Sequence, residues 1–317
     1  MKKYMRKYGP VELPFTGIAS FCKYPIHTNL DTVEADVAVF GIPWDWGVSV
    51  RVGARFGPRY LRDYSIGTPT GAAKKGGYWD IQKKKRYLEG IRIVDCGDQD
   101  VLYLKVEETF EAITESIEKL LSAKAFPVIL GGDHSITFPV VRAFYQYNPL
   151  HLIHIDAHLD YIDSIEGVRL SNSNPIKRVS ELDFVGEIIQ IGMRGIRALE
   201  HCYNDSVSRG NKIITMSDFR QMGVEGVISQ IPDQGNIYVT IDCDALDPSI
   251  APGVTAPDHD GMTYREMKAL LVGIASRAKV VGFDLVELNP FFDSAGITQA
   301  AAVCIFKEFL GAIFDKK

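Results

Sequence analysis

Three runs of branched apolar residues, each ending in acidic and imidazole side chains, constrain this chain more than any other feature. Phe126-Pro127-Val128-Ile129-Leu130 leads into Gly131-Gly132-Asp133-His134; residues 150–155 lead into Asp156-Ala157-His158-Leu159-Asp160; residues 236–241 lead into Asp242-Cys243-Asp244. Short, nearly continuous apolar runs read as strands buried on both faces, as in a parallel sheet covered by helices. Each polar cluster then sits at the carboxyl end of a strand, where open parallel sheets bind ligands. Two histidines and four aspartates at such strand ends are costly unless a cation neutralises them, and carboxylate with imidazole suits a divalent metal. The set is large enough for two ions. In an extended chain the i, i+2, i+4 spacing of Asp156, His158 and Asp160 puts all three on one side, and Asp242 with Asp244 repeats the pattern.

The remaining sequence fits an α/β protein around those strands. With 317 residues and 46% hydrophobic content, the chain can bury a large core as one domain or two. Strands are predicted at 35–40, 91–95, 187–192, 212–215 and 279–284 besides the three above, and helices at 107–124, 217–230, 263–277 and 297–313. This alternation favours one α/β domain, 1–317, with residues 1–34 as an extension packed on it. The last helix is apolar enough to lie in the core or against another subunit. Residues 47–62, rich in glycine and arginine, read as a long irregular segment, followed by a Lys/Gly loop from 65 to 86; loops of this length are usually functional or disordered. Arg51, Arg55, Arg59 and Arg62 suit loop anchoring or a subunit contact better than a phosphate site. Lys83-Lys84-Lys85-Arg86 reads as a solvated face or lid.

Composition excludes several function classes. A net charge of −5 points to neither nucleic acid nor an anionic membrane as partner. No apolar run approaches the ~18 residues of a membrane span, and the basic start, Met1 to Lys7, runs into Tyr8-Gly9-Pro10 rather than a signal-peptide core. Five scattered cysteines without a CxxC indicate neither a disulfide framework nor a thiolate zinc site. A reducing cytoplasm is the expected compartment.

Gly41-Ile42-Pro43, Arg55-Phe56-Gly57-Pro58, the three metal segments, Gln190-Ile191-Gly192-Met193-Arg194-Gly195 and Asp284-Leu285-Val286-Glu287-Leu288-Asn289-Pro290 follow one another in an order that resembles the ureohydrolase (arginase and agmatinase) superfamily, most closely its agmatinase-like branch. The resemblance implies a three-layer α-β-α sandwich around an eight-stranded parallel sheet, and a homotrimer or homohexamer. It implies two divalent ions per chain, manganese before nickel or cobalt. One would be held by His134, Asp156, Asp160 and Asp242, the other by Asp156, His158, Asp242 and Asp244, with Asp156 and Asp242 bridging. The expected reaction is hydrolysis of a linear guanidino C–N bond, releasing urea and an amine. Glu287 would accept the guanidinium N–H groups and Asp160 would relay a proton.

Two departures bear on substrate. Relatives carry a proton-shuttling His-Gly pair where this chain has Asn172-Ser173, and formiminoglutamate hydrolases of the superfamily also lack that histidine. Formimino hydrolysis is therefore the same-class alternative, and a catalytically silent subunit of a heteromeric assembly is the alternative of another class; a single-zinc deacetylase needs fewer ligands than are offered. The second departure is Ala256-Pro257-Asp258-His259-Asp260-Gly261, where His259 is a candidate replacement proton carrier. Asn172, Asn174, Arg178 and Glu287 are the candidate substrate contacts. Asp258 and Asp260 would favour a cationic tail, as in agmatine, whereas Lys177 and Arg178 would favour a carboxylate tail. Asp133 is expected to orient the site, and His154 to be a buried, hydrogen-bonded strand residue rather than a ligand.

Overall fold

Eight strands form one sheet in which every neighbouring pair is parallel. The computed structural model describes residues 17–48, 50–67 and 77–315. Residues 1–16 of the expected extension and 68–76 of the Lys/Gly loop lie outside the described residues. The strands are β1 (Val37–Gly41), β4 (Ile93–Asp98), β5 (Phe126–Leu130), β6 (Leu150–Ile155), β7 (Val185–Met193), β8 (Lys212–Thr215), β9 (Asn236–Asp242) and β10 (Lys279–Val286), in the spatial order β4-β1-β5-β10-β9-β6-β7-β8. β2 (Tyr78–Asp80) and β3 (Lys85–Tyr87) make a separate antiparallel hairpin. All eight strands expected from the apolar runs are present.

Alternate residues of these strands feed two cores, one on each face. In β1, Val37 and Val39 join one cluster while Ala38 and Phe40 join the other; in β5, Val128 and Leu130 oppose Ile129 in the same way. Burial of a branched or aromatic side chain is worth ~1.5–3 kcal/mol, so the double-faced pattern holds the sheet between two layers. α2 (Val106–Ser122) and α3 (Thr137–Arg142) cover one face; α6 (Met216–Ser229), α7 (Tyr264–Arg277) and α8 (Ile297–Ile313) cover the other. Capping boxes start α6 at Thr215 with Asp218 and α7 at Thr263 with Glu266, each satisfying otherwise orphaned N–H groups. α8 is a core helix: Phe306 and Phe309 pack on Phe283 of β10.

The irregular segment expected at 47–62 ends in order. α1 (Gly57–Ser65) begins with Pro58 in its first turn and buries Leu61 and Ser65, a placement that Pro tolerates because its missing N–H would be unpaired there. Arg62 anchors this helix through Asp95 and Asp98, so loop anchoring is its role. Lys85 and Arg86 stand in β3, where Lys85 pairs with Asp315. α4 (Pro175–Ser180) and α5 (Glu200–Ser208) are too short to have shown a clear helical period in the sequence.

Register brings the polar clusters together. Ile155 of β6 pairs with Ile241 of β9, Val286 of β10 pairs with Asp242, and Leu285 of β10 pairs with Leu130 of β5. The residues that follow these four central strands therefore emerge side by side at one sheet edge.

Candidate metal centre and substrate cleft

After β5 the chain turns sharply because Gly131 and Gly132 have no side chains. A Cβ on Gly132 would stand 1.9 Å from the Trp44 carbonyl oxygen, and one on Gly131 2.5 Å from Val286 Cγ1. Asp133 then caps the turn, accepting from the Ser135 N–H and, through its other oxygen, from the Gly47 N–H. This orienting place is the one expected for it. The Gly132 carbonyl accepts from the Glu287 N–H at 2.8 Å and Glu287 Oε1 accepts from the His134 N–H at 2.8 Å, locking the ends of β5 and β10 together.

Asp156 to Asp160 do not form an extended segment. Asp156 Oδ1 accepts from the His158 N–H at 2.6 Å, and Asp242 Oδ1 accepts from the Asp244 N–H at 2.7 Å. These are Asx-type turns, and they fold each Asp-x-His or Asp-x-Asp unit back so that both members face one point. Asp160 and Glu287 have φ of 49° and 61°, a region that L residues enter at a cost and that tends to mark functional positions.

Hydrogen bonding fixes which histidine nitrogens face inward. Thr240 Oγ1 donates to Asp284 Oδ1 at 2.6 Å, so it accepts from His134 Nε2, 2.9 Å away. His134 Nδ1 is left buried with no hydrogen-bond partner, facing oxygens of Asp160, Asp156 and Asp242 at 2.9, 3.1 and 3.3 Å. His158 Nε2 donates to Asp258 Oδ2 at 3.1 Å, which turns Nδ1 toward Asp244 at 3.1 Å and Asp156 at 3.5 Å. Once the two Nδ1 atoms are deprotonated, their lone pairs and four carboxylates point at one another, an arrangement that is repulsive unless metal cations lie between. One ligand atom each from His134, His154, Asp156 and Asp160 lies within 4.8 Å of the others, as do those of Asp156, His158 and Asp244. Asp156 belongs to both groups, and the donor set fits two hard or borderline divalent ions.

His154 has both ring nitrogens in hydrogen bonds. Its Nε2 donates to Asp156 Oδ2 at 2.7 Å, while its Nδ1 accepts from the Gln190 amide at 3.1 Å. With both nitrogens used, it steadies Asp156.

The charges of this cluster respond to burial and to one another. Burial, then Asp244 and Asp156, raises the Asp242 pKa well above the carboxylate range, and burial with Asp156 raises that of Asp160. Burial opposes charge on Asp156 too, yet His154, His134 and His158 hold it ionised. Burial also opposes charge on His134, but Asp156, Asp160 and Asp242 raise its pKa well above the usual imidazole value. Glu287 is pushed up to about 8 by burial and then by Asp133.

A cleft of about 570 Å³ opens beside the centre, with His158, Asp160 and Asn172 in its wall. Asn172 donates from Nδ2 to Glu287 Oε1 at 3.3 Å, whereas Glu287 Oε2 is buried without a partner, and Glu287 is itself absent from the described cleft wall. Three expected site residues are corrected. Arg178 is buried in α4, paired with Asp163 and Glu181, and is absent from the described cleft wall. Asn174 is fully buried: its Oδ1 accepts from Ser171 and its Nδ2 donates to the Ile162 carbonyl, so it shapes the loop. The exposed His259 likewise stands outside that wall, its backbone carbonyl accepting from Arg194. Lys177 and Asp260 are committed to Asp205 and Arg220. Arg194 is a structural residue that the sequence reading left without a role; its guanidinium ties the carbonyls of Gly192, Asp244 and Asp258.

The arginase family model matches residues 35–311. The chain belongs to the arginase family. It is 31% identical over 303 residues to the mitochondrial guanidino acid hydrolase of Homo sapiens, covering 94% of this chain and 83% of that one. It is 35% identical over 281 residues to the agmatinase of Bacillus anthracis, covering 87% and 91%. The solved proclavaminate amidino hydrolase of Streptomyces clavuligerus superposes with a TM-score of 0.83 at 31% identity, covering 95% of this chain and 98% of that one. This arginase-family protein is accordingly a hydrolase of non-peptide C–N bonds in linear amidines, from a family that depends on a binuclear metal centre. Among its described residues no helix is long and apolar enough to cross a membrane.

Proposed function

We propose that this protein hydrolyses a guanidino C–N bond, consuming water and releasing urea and an amine, with two manganese ions held by His134, Asp156, Asp160 and Asp242 and by Asp156, His158, Asp242 and Asp244. The observation that carries the reading is the convergence of two inward-facing histidine Nδ1 atoms on the buried carboxylate of Asp156. Such an ion pair supplies a water nucleophile at near-neutral pH. The protein supplies position and protons. Glu287 Oε2, buried and unpartnered, accepts guanidinium N–H groups and orients the electrophilic carbon. Asn172 Nδ2 holds the other Glu287 oxygen at 3.3 Å and so fixes the carboxylate plane. Asp160, in the cleft wall, carries a proton on its carboxylate to the leaving amine.

Asn172 is a specific reason to keep formimino hydrolysis as the second reading, because a carboxamide neither takes up nor releases a proton near neutral pH. A silent subunit fits poorly, since all six ligand positions converge. Cytoplasmic location and a homotrimer or homohexamer complete the proposal. The deciding experiment supplies manganese, nickel or cobalt and assays urea from agmatine, guanidinobutyrate and guanidinopropionate, with formamide from formiminoglutamate as the contrast. Urea from a guanidino compound is the expected result; formamide alone selects the second reading, and neither product rejects both.

A further inference from the structure

Apart from the structural Arg194, two arginines line the cleft beside the centre among the described residues. Arg51 is exposed, lies with its guanidinium 4.6 Å from the Phe292 ring centroid, and pairs with no carboxylate among the described residues. Arg197 has a half-exposed side chain and donates to the Pro257 carbonyl at 3.3 Å. Its nearest acid, Asp258, lies 3.7 Å away and is already engaged by His158 Nε2 through the same Oδ2. Both arginines stand in the cleft wall, whose only carboxylate among the described residues is Asp160 of the metal cluster. Ile162, Leu199 and Tyr203 add apolar wall, suited to a methylene spacer. Among the described residues of the cleft wall, an ammonium at the far end of a substrate would meet two guanidinium groups and no acid beyond Asp160 of the metal cluster, whereas a carboxylate would meet two donors of complementary charge.

We infer that Arg51 and Arg197 are specificity-determining residues that select a substrate with an anionic tail, an ω-guanidino (or formimino) acid rather than agmatine. The inference rests on the hydrolytic reading above for the reaction, but its charge argument is independent of which bond is cut. Solitary surface arginines are usually just solvated; two at one cleft, without an acid to receive a cationic tail, are what distinguishes this pair.

The test compares 4-guanidinobutyrate with agmatine, which differ chiefly in tail charge, by urea release and by titration calorimetry on the metal-loaded protein. The expected result is a preference for the guanidino acid of at least ten-fold. In Arg51→Gln and Arg197→Gln, KM or Kd for the acid should rise roughly 10- to 100-fold, the range for losing a charge-assisted hydrogen bond, while kcat changes much less. Equal or tighter binding of agmatine by the unaltered protein, or variants that leave the preference unchanged, would overturn the inference. Absence of urea from both compounds would reject guanidino hydrolysis alone, because the calorimetric preference still decides the tail.

Discussion

Removing the Asp258 carboxylate should weaken one metal position and spare the other. Asp258 Oδ2 receives the His158 Nε2 proton at 3.1 Å, and that bond is what turns the Nδ1 lone pair toward Asp244 and Asp156. Without it the imidazole can take the other tautomer and rotate. Loss of such a carboxylate–histidine contact typically costs 10- to 100-fold in metal affinity, or ~1.4–2.7 kcal/mol. His134 is oriented separately, by Thr240 and Asp284, so its position should lose about threefold at most, through the bridging Asp156 and Asp242 that the two positions share. Calorimetric titration of chelator-stripped Asp258→Ala with manganese reads both steps, and melting of the metal-free variant controls for loop damage. Asp258→Asn should lose less, since its amide oxygen can still accept the Nε2 proton. Unchanged affinity at both steps, or equal loss at both with a lowered metal-free melting temperature, would show that Asp258 supports the loop rather than the histidine.

Asp242→Ala should abolish binding at both metal positions, as read by elemental analysis, because Asp242 is assigned to both; retention of a full pair would refute the bridge. Thr240→Val should selectively weaken the His134 position by the same calorimetry, since the threonine alone fixes the His134 tautomer. Glu287→Gln should lower kcat/KM roughly 10- to 100-fold in steady-state assays, the cost of replacing a charge-assisted acceptor. The metal-free protein should melt at lower temperature as pH rises from about 5 to 8. Glu287 and Asp133, raised by burial to about 8 and about 7, bind protons in the folded state that the unfolded chain has already lost, and the raised His134 and His158 values act in the same direction above pH 6.5. The depressed Asp156 value matters only at more acid pH. Saturating manganese should flatten this dependence in a thermal melt; a flat metal-free profile would remove the electrostatic account of the cluster.

The strands were legible because a doubly buried strand must be apolar at consecutive positions, and residues 126–130, 150–155 and 236–241 meet that demand without ambiguity. The ligands were legible because they follow those strands directly. What local spacing does not carry is contact between distant segments. Asp258 reaches His158 across a hundred residues of chain, and Arg178, beside the site in sequence, turns its charge to Asp163 because α4 buries it. Arg51 and Arg197 come from separate loops and line the same cleft only in three dimensions. The Asx turns at Asp156 and Asp242 also replace the extended geometry that the i, i+2 spacing alone suggests. Short helices such as α4 and α5 escape notice because fewer than three turns show little periodicity.

Metal stoichiometry tests the central claim most directly. Chelator-stripped protein, reloaded with manganese and freed of excess ion, should retain close to two ions per chain by elemental analysis, because two histidines and four carboxylates, two of them assigned to both positions, require two centres of charge. One ion or none per chain, in protein that remains folded, would contradict the binuclear site on which the proposed reaction depends.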